Sequence, residues 1–298
     1  MQFNDSALIL GALNGIQIVA ILSILQSSPY SLMALKSPRI SKLEDISGKK
    51  IALYNNLNGI AINAMLMSHN IDYIKTPVAY TLDKLLSGED DMQTVYLSNE
   101  PYVAKEAGLE ITLFNPKDYG FDGYGDILFT SKKILNSRPD LVEKMYSASK
   151  KGWEYAFSHI DESVDVIYNR YNTLNKSKNA LAYEGKILKS LSGYGKNFGE
   201  IDEDKIRSIA QIFSFMNKGK NNFENLDEFI YRPANKDTDY ETIFFTKEEL
   251  EYIKNKKSVK VCAHTKEFPF VIFDKEEISG TSIEFLKLIT NISKLNLK

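Results

Sequence analysis

"NPKDYGFDGYGDILFT", residues 115–130, combines many turn-forming residues with an apolar ending. Its aspartates at 118 and 122 are suited to Asx-turns, because a short carboxylate can bond its own backbone two residues on. Its glycines can supply a positive φ, which a tight turn needs, at positions 120, 123 and 125. The stretch therefore predicts a turn or hinge that leads into a strand.

A turn does not require the two tyrosines of this stretch, Tyr119 and Tyr124. Each tyrosine has an apolar face and a polar tip, which suits a small, flat, polar ligand. Asp126 adds a hydrogen-bond acceptor beside them. A ligand-facing hinge is therefore one interpretation, and a plain turn remains the other.

Short apolar runs alternate with short helical patterns upstream of this stretch. Strands are predicted at 31–36, 51–54, 72–76, 93–97 and 109–114, and helices within 41–50, from Gly59, at 80–87 and at 99–108. Such alternation predicts a parallel α/β sheet.

The apolar run at 7–25 resembles a signal peptide or a membrane span only superficially. No basic segment precedes it, and polar or turn residues interrupt it at 14, 15 and 17. We predict a short helix, a turn at Asn14-Gly15 and a buried strand over 16–25, of the kind found in parallel sheets.

The chain becomes helical after Thr130. "SRPDLVEKMYSASKKGWEYAFSH", residues 137–159, predicts a long amphipathic helix with Pro139 in its first turn, and Trp153 is expected to pack into the core. Further helices are predicted at 161–171, 177–191 and 202–217. After a polar stretch at 218–242, a helix (246–255), a strand (258–264), a hairpin within 266–280 and a helix (281–293) begin a new α/β unit.

Three other stretches carry polar candidates at strand ends. In "SNEPY" (98–102), Asn99 is a helix N-cap and Glu100 either interacts with the helix dipole or reaches into the crevice where α/β sheets bind ligands.

In "NNLNGIA" (55–61), the turn at Asn58 and Gly59 opens a helix whose N–H groups could hold an anion, although many such turns bind nothing. In "LQSSPY" (25–30), Gln26 and Ser27 offer polar groups, or simply form a turn before Pro29.

Composition excludes several classes of function. The net charge of the 298 residues is −2, so nothing favours nucleic-acid binding. One cysteine, Cys262, forms no internal disulfide, and three scattered histidines predict no metal site. No cofactor is predicted.

Together, "SNEPYVAKEAG", "FNPKDYGFDGYGDILFTS" and "KKGWEYAFSHIDESVDVIYNRYN" resemble bacterial substrate-binding proteins related to thiamine-pyrimidine precursor binding, the NMT/THI-like family. The resemblance is strongest to versions fused as extracytoplasmic sensors to histidine kinases and diguanylate cyclases. It covers about 3–231. Residues 246–298 resemble the start of an amino-acid-type binding domain, which leaves 232–245 as a linker.

The resemblance implies a type II periplasmic-binding-protein-like α/β fold, with two α/β lobes and a hinge, a helical C-terminal half and the start of a second α/β binding domain. Family members carry strands before the segment that Phe3 matches, so the first lobe is expected to be N-terminally truncated. The "DYGFDGYGD" segment would be the hinge that returns to the first lobe.

The expected function is ligand binding without catalysis, coupled to a kinase or cyclase output domain or to an ABC transporter. The expected location is periplasmic, with no membrane insertion by this chain. The expected ligand-binding residues are Gln26, Ser27, Asn58, Gly59, Asn99, Glu100, Tyr119, Tyr124 and Asp126.

Two alternatives stay open. Eukaryotic relatives are enzymes that make the thiamine pyrimidine and rely on a cysteine-rich iron motif, whereas this chain has one cysteine. A bound pyridoxal cofactor would reveal such an enzyme by its absorbance. The other alternative is a fragment of a larger sensor with only a structural role.

Overall fold

The computed structural model describes residues 2–4, 7–54, 59–79, 81–216, 226–233, 247–256, 258–261, 272–274 and 277–279, together with 282, 283, 286, 287, 289 and 290. The chain divides into two compact units, Met1–Pro233 and Ala234–Lys298.

The described residues of the first unit form eight strands: β1 (Gln2–Asn4), β2 (Ile18–Ser23), β3 (Tyr30–Leu35), β4 (Lys50–Ala52), β5 (Ile74–Thr76), β6 (Met92–Tyr96), β7 (Ile111–Phe114) and β8 (Ile127–Ser131). Its helices are α1 (Ala7–Leu13), α2 (Ile60–Ser68), α3 (Asp83–Leu86), α4 (Glu100–Glu106), α5 (Lys132–Ser137), α6 (Pro139–Ser158), α7 (Ile160–Arg170), α8 (Lys178–Leu191), α9 (Glu203–Phe215) and α10 (Leu226–Phe229). Short 3-10 helices cover Leu43–Ile46 and Pro116–Tyr119.

The first lobe is built on a three-stranded sheet with the order β1-β8-β2, in which both pairings are antiparallel. Helices α1 and α9 pack on this sheet through a core that includes Ile9, Ile127, Ile206 and Phe213, all fully buried. The helices after β8 belong to this lobe. Several begin at side-chain caps, since Ser131, Ser177 and Asp202 each accept a hydrogen bond from a backbone N–H three residues on.

The second lobe is a five-stranded sheet with the order β5-β4-β6-β3-β7. β4 pairs in parallel with β5 and with β6, whereas β3 is antiparallel to both of its neighbours. Its core packs residues such as Ile46, Ile51 and Met65 between the sheet and α2.

Two crossing segments, residues 24–29 and 115–126, join the lobes side by side. The Ile24 N–H donates to the Asp126 carbonyl at 2.7 Å, and the Gly125 N–H donates to the Leu25 carbonyl at 3.0 Å. A Cβ at Gly125 would lie 2.6 Å from the Leu25 Cβ, so the two backbones can approach only because residue 125 is glycine.

The strands and helices predicted for 7–216 are confirmed within a few residues, but their pairing differs. The prediction of a parallel sheet is confirmed for β5, β4 and β6 but was wrong for β3, which enters from the first lobe at the edge where β6 ends and so runs antiparallel to it. The strand predicted over 16–25 is shorter, is paired antiparallel with β8, and leaves Ile16 exposed.

The expected backbone of the hinge also needs correction. Of its three glycines only Gly120 has a positive φ, 86°. The turn bond at its start comes from Asn115, whose side chain accepts from the Lys117 N–H. Asp122 instead accepts hydrogen bonds from residues distant in sequence, because the crossing segments bring them together.

In the second unit, α11 (Lys247–Asn255) confirms the predicted helix, and β9 (Ile272–Asp274) pairs antiparallel with β10 (Glu277–Ser279) as the predicted hairpin. Of the strand predicted at 258–264, residues 258–261 contain a single bridge residue and the remainder lies outside the described residues, as does Cys262. Among the described helices, none is long and apolar enough to cross a membrane.

Candidate ligand-binding cleft

A polar cavity of about 400 Å³ lies where the two crossing segments meet the end of α8 and the start of α9. Gln26, Ser27, Lys117, Asp122 and Lys205 contribute polar side chains to its wall. Gln26 and Ser27 were expected at this place, and both are buried at the cavity wall. The sequence predicted Asp122 only as a turn residue, and no sequence pattern predicted Lys205 at a binding site.

Lys205 connects both crossing segments to α9 of the first lobe. Its Nζ donates to Asp122 Oδ2 and to the Gln26 carbonyl oxygen, both at 2.6 Å. Asp122 Oδ2 also accepts from Ser27 Oγ at 3.1 Å, and Ser27 Oγ accepts from Lys117 Nζ at 2.8 Å. Positive and negative groups therefore satisfy one another across the hinge.

The Gln26 side chain is held from the other side of the cavity. Its Nε2 donates to the Glu200 carbonyl oxygen at 2.8 Å, and its Oε1 accepts from Asn197 Nδ2 at 3.3 Å. This fixes the amide in one orientation, with the turn after α8 as its partner.

Tyr124 lies in the core of the first lobe and is 1% exposed. Its hydroxyl accepts from the Asp202 N–H at 2.8 Å, and Lys205 Nζ lies 5.0 Å from the ring centroid. Burial raises the pKa of Tyr124 to about 12. These contacts make Tyr124 a support beneath the cavity, whereas the sequence predicted an aromatic wall.

Three tyrosines lie at the carboxyl edge of the five-stranded sheet. Tyr54 follows β4 and Tyr96 ends β6, while Tyr30 begins the antiparallel β3, so all three lie at the same edge. The Tyr30 ring packs edge-on against Tyr54 at 5.7 Å and against Tyr96 at 5.3 Å. Each tyrosine is half-buried. We call these residues the tyrosine edge.

The positions of the three tyrosines relative to the predicted strands are a sequence signal for the tyrosine edge. Tyr54 and Tyr96 close two predicted strands, and Tyr30 precedes a third. Ligands of open α/β sheets bind outside the carboxyl ends of the strands, so aromatic residues at those ends are better candidates than aromatic residues within a turn.

Asn99 and Glu100 lie beside the tyrosine edge. Asn99 occupies the N-cap of α4 but makes no side-chain cap bond. Glu100 is 9% exposed, and its Oε2 accepts from the Tyr96 N–H at 2.8 Å. One carboxylate oxygen of Glu100 therefore holds the end of β6.

The other residues that were predicted to bind the ligand make contacts elsewhere or lie outside the described residues. Tyr119 packs in the second-lobe core edge-on against His69, with ring centroids 5.7 Å apart. Gly59 is the N-cap of α2, where a Cβ would lie 2.9 Å from the Tyr54 carbonyl oxygen. The Asp126 backbone joins the crossing segments. Asn58 lies outside the described residues.

The lobes touch each other on both sides of this edge. Ile60, at the start of α2, packs against the first-lobe core. On the other side, the Tyr183 ring of α8 lies 5.2 Å from the Tyr102 ring of α4, and the Tyr183 hydroxyl approaches the Leu97 carbonyl oxygen at 3.4 Å. These contacts join the lobes beside the tyrosine edge, whereas the polar cavity itself is lined by the crossing segments, the end of α8 and the start of α9.

Two lobes, two crossing segments and a cleft between them define a periplasmic-binding-protein-like α/β fold. Solved structures share this fold. The aliphatic sulphonate binding protein SsuA of Escherichia coli aligns with a TM-score of 0.60 at 11% identity, over 78% of this chain and 76% of SsuA. The ligand-binding component of an ABC-type import system from Staphylococcus aureus aligns with a TM-score of 0.52 at 13% identity, over 76% and 78% of the two chains.

Residues 4–163 match the model of the NMT1/THI5-like family, so more than half of the chain is covered and the chain belongs to that family. A formylaminopyrimidine-binding protein from Halalkalibacterium halodurans is 23% identical over 178 residues, which are 56% of this chain and 53% of that protein. The chain thus spans about half the length of this curated relative.

Proposed function

We propose that the Met1–Pro233 unit is a solute-binding module that closes on a small, flat, polar molecule, with an aminopyrimidine as the favoured ligand class. The tyrosine edge carries this proposal. It presents aromatic rings at the sheet edge where both crossing segments enter, and rings of this kind can stack on a planar ligand.

The charges that line the cavity balance, which favours a polar ligand without net charge: Lys117, Lys196 and Lys205 are matched by Asp122, Glu200 and Asp202. At the crossing segments Lys205 is paired with Asp122, so its positive charge is already neutralised. At the tyrosine edge the nearest predicted ligand contact, Glu100, is acidic. The family membership and the formylaminopyrimidine-binding relative agree with this choice.

In this proposal Gln26 and Ser27 supply the polar side of the cleft, and Asn58, Gly59, Asn99 and Glu100 lie around the tyrosine edge. Tyr119, Tyr124 and Asp126 act indirectly, by holding the lobes and the hinge in place. Closure of the two lobes on the ligand is the event that a partner reads.

The partner is an ABC-type importer or a kinase or cyclase output domain, and the module works outside the cytoplasmic membrane. These assignments rest on the resemblance of the sequence. The same holds for the second unit, which we assign to the start of an amino-acid-type binding domain.

Calorimetric titration of the full chain with formylaminopyrimidine and, separately, with an aliphatic sulfonate tests the proposal. We expect the pyrimidine to bind. At one hundred times its dissociation constant it should stabilise the fold by about 2.7 kcal/mol. Absence of binding by the pyrimidine would contradict the proposed ligand class, and absence of binding by both compounds would contradict the binding function.

A substitution at the tyrosine edge locates the site. Tyr54→Leu should weaken pyrimidine binding several-fold to tenfold, because an aromatic pair is worth about 0.5–1.5 kcal/mol beyond its buried area. Tyr171→Ala is the matched control, since Tyr171 is 67% exposed at the end of α7. Equal affinities of the two variants would place the ligand elsewhere.

A further inference from the structure

Two buried hydroxyl groups of the second lobe have no hydrogen-bond partner among the described residues. Ser98 is 2% exposed, and both its Oγ and the Tyr102 hydroxyl oxygen are shielded from solvent without a partner. An unpaired buried polar group costs about 1–3 kcal/mol, so native proteins retain few of them. Such a pair needs a physical reason.

The position of Ser98 and Tyr102 in the fold offers a reason for their unpaired hydroxyls. Ser98 follows the end of β6 by two residues, at the carboxyl edge of the sheet, and Tyr102 lies in the first turn of α4. Tyr183 of the first lobe covers this corner through its ring contact with Tyr102 and its hydroxyl near the Leu97 carbonyl. Tyr102 therefore lies at the contact between the lobes, and Ser98 directly follows Leu97, whose carbonyl oxygen the Tyr183 hydroxyl approaches.

Other buried polar atoms without a partner do not share this position. Gln93 lies within β6, and Asp90 precedes that strand at the opposite edge of the sheet. One oxygen of Asp90 accepts from Thr76 Oγ1 at 2.7 Å. The unpaired groups at Ser98 and Tyr102 are thus distinguished by lying at the ligand-binding edge.

The charges around this corner disfavour an anion. Glu100, two residues after Ser98, is a buried carboxylate that holds the Tyr96 N–H. A sulfonate or phosphate placed beside Ser98 would lie near this carboxylate, and like charges repel.

We propose that Ser98 and Tyr102 form a neutral hydrogen-bonding subsite of the cleft, covered by Tyr183 of the first lobe, that selects ligands with uncharged or cationic polar groups over anions. This inference rests on the proposed function and names contacts for its ligand. Because the two hydroxyls are already removed from water and unpaired, hydrogen bonds to them would cost only the desolvation of the ligand's own polar groups.

The test combines the stability and the affinity of the full chain. Ser98→Ala and Tyr102→Phe remove the unpaired hydroxyls, and we expect the melting temperature of the ligand-free protein to stay the same or rise. Ser31→Ala is the matched control. Ser31 is equally buried in the same sheet, but its Oγ donates to the Phe114 carbonyl at 3.0 Å, so its loss should lower the melting temperature.

Binding should respond in the opposite way. In calorimetry with formylaminopyrimidine we expect Ser98→Ala and Tyr102→Phe each to weaken affinity at least fivefold, while Ser31→Ala keeps the wild-type affinity. Wild-type affinity in both hydroxyl variants would overturn the subsite. So would a loss of ligand-free stability as large as that of Ser31→Ala, because it would show that the hydroxyls already have partners.

The titrations distinguish a failure of this inference from a failure of the proposed function. If the wild-type chain binds neither formylaminopyrimidine nor an aliphatic sulfonate, both are overturned. If it binds the sulfonate more tightly than the pyrimidine, the binding function stands and the selectivity assigned to Ser98 and Tyr102 is overturned.

Discussion

At the scale of single residues, the Lys205 side chain holds the hinge together. A lysine ammonium carries three donors, and two of them are used within the hinge, on Asp122 and on the Gln26 carbonyl. The Lys205 and Asp122 side chains are only 22% and 21% exposed, so solvent screens their interaction weakly. One side chain thereby ties both crossing segments to the first lobe.

We predict that Lys205→Met lowers the free energy of unfolding by about 1–3 kcal/mol, because it leaves a partly buried carboxylate with fewer donors. Urea denaturation measures this change. Lys36→Met is the control, since Lys36 pairs with Glu110 on the surface with exposed fractions of 61% and 76%, and it should have little or no effect. Equal effects of the two variants would show that the Lys205 bonds contribute nothing.

The raised pKa of Tyr124 makes the free energy of unfolding depend on pH in the alkaline range. The folded protein keeps the Tyr124 proton up to a pKa of about 12, whereas an unfolded chain releases it near the ordinary value of 10.0. Stability from this group is therefore complete below pH 10 and is lost as the pH rises towards 12. Tyr124→Phe removes that contribution.

We predict that the free energy of unfolding of Tyr124→Phe falls less between pH 9 and pH 11 than that of the wild type. Both proteins keep Tyr231, whose pKa is also raised by burial, so the comparison isolates Tyr124. Denaturant titrations at several pH values provide the measurement. Parallel pH profiles of the two proteins would show that Tyr124 ionises as freely as in an unfolded chain.

At the scale of elements, the two crossing segments depend on one glycine. Gly125→Ala should destabilise the unit by about 1–3 kcal/mol, because the new methyl group would overlap the Leu25 side chain and force the segments apart. Gly152→Ala is the control: Gly152 lies in α6 with open space around it, and alanine there should stabilise by about 0.5–1 kcal/mol. Thermal unfolding of both variants checks the opposite signs, and a stable Gly125→Ala variant would contradict the close approach.

Element positions followed from local patterns, whereas strand directions did not. The apolar runs that became β3 and β6 were visible in the sequence, because burial of one strand requires apolar residues whatever its partners are. Whether β3 runs parallel or antiparallel to β6 depends on the path of the crossing segment at 24–29. That path is set by contacts such as Ile24 with Asp126, over one hundred residues apart in sequence.

At the scale of the whole molecule, the end of the first unit is anchored in the first lobe. The Tyr231 N–H donates to the Ala20 carbonyl at 2.8 Å beside β2, and the Tyr231 hydroxyl donates to Glu143 of α6. Leu226, Phe229 and Ile230 are buried in the core. The short segment from 226 to 233 is therefore part of this unit.

We predict that a chain ending at Pro233 unfolds cooperatively with a melting temperature close to that of the first unit in the full chain. A chain ending at Asn225 should melt at a markedly lower temperature, because it loses three buried apolar side chains. Calorimetry of both truncations tests this pair. A Pro233 truncation without a cooperative transition would show that the first unit needs Ala234–Lys298 to fold.

The candidate site was predictable in part. Gln26 and Ser27 were predicted because they directly follow a long apolar run, and polar side chains at the end of a buried strand lie at a sheet edge; both line the cavity. Tyr124 was expected to face the ligand, whereas its ring is buried in the first-lobe core, since a tyrosine beside glycines gives no sign of which way its ring turns. Lys205 could not be found, because an isolated lysine in an amphipathic helix is typical of a solvated face.

The sequence by itself determined which segments of this protein form strands, helices and the hinge, because apolar runs, caps and turn residues act locally. Its long motifs also revealed the family. Only the tertiary structure decided which residues meet. The pairing of Lys205 with Asp122, the tyrosine edge and the unpaired hydroxyls of Ser98 and Tyr102 all arise where separate segments converge. Such contacts depend on the directions in which the chain crosses between lobes, and no local pattern of residues encodes those directions.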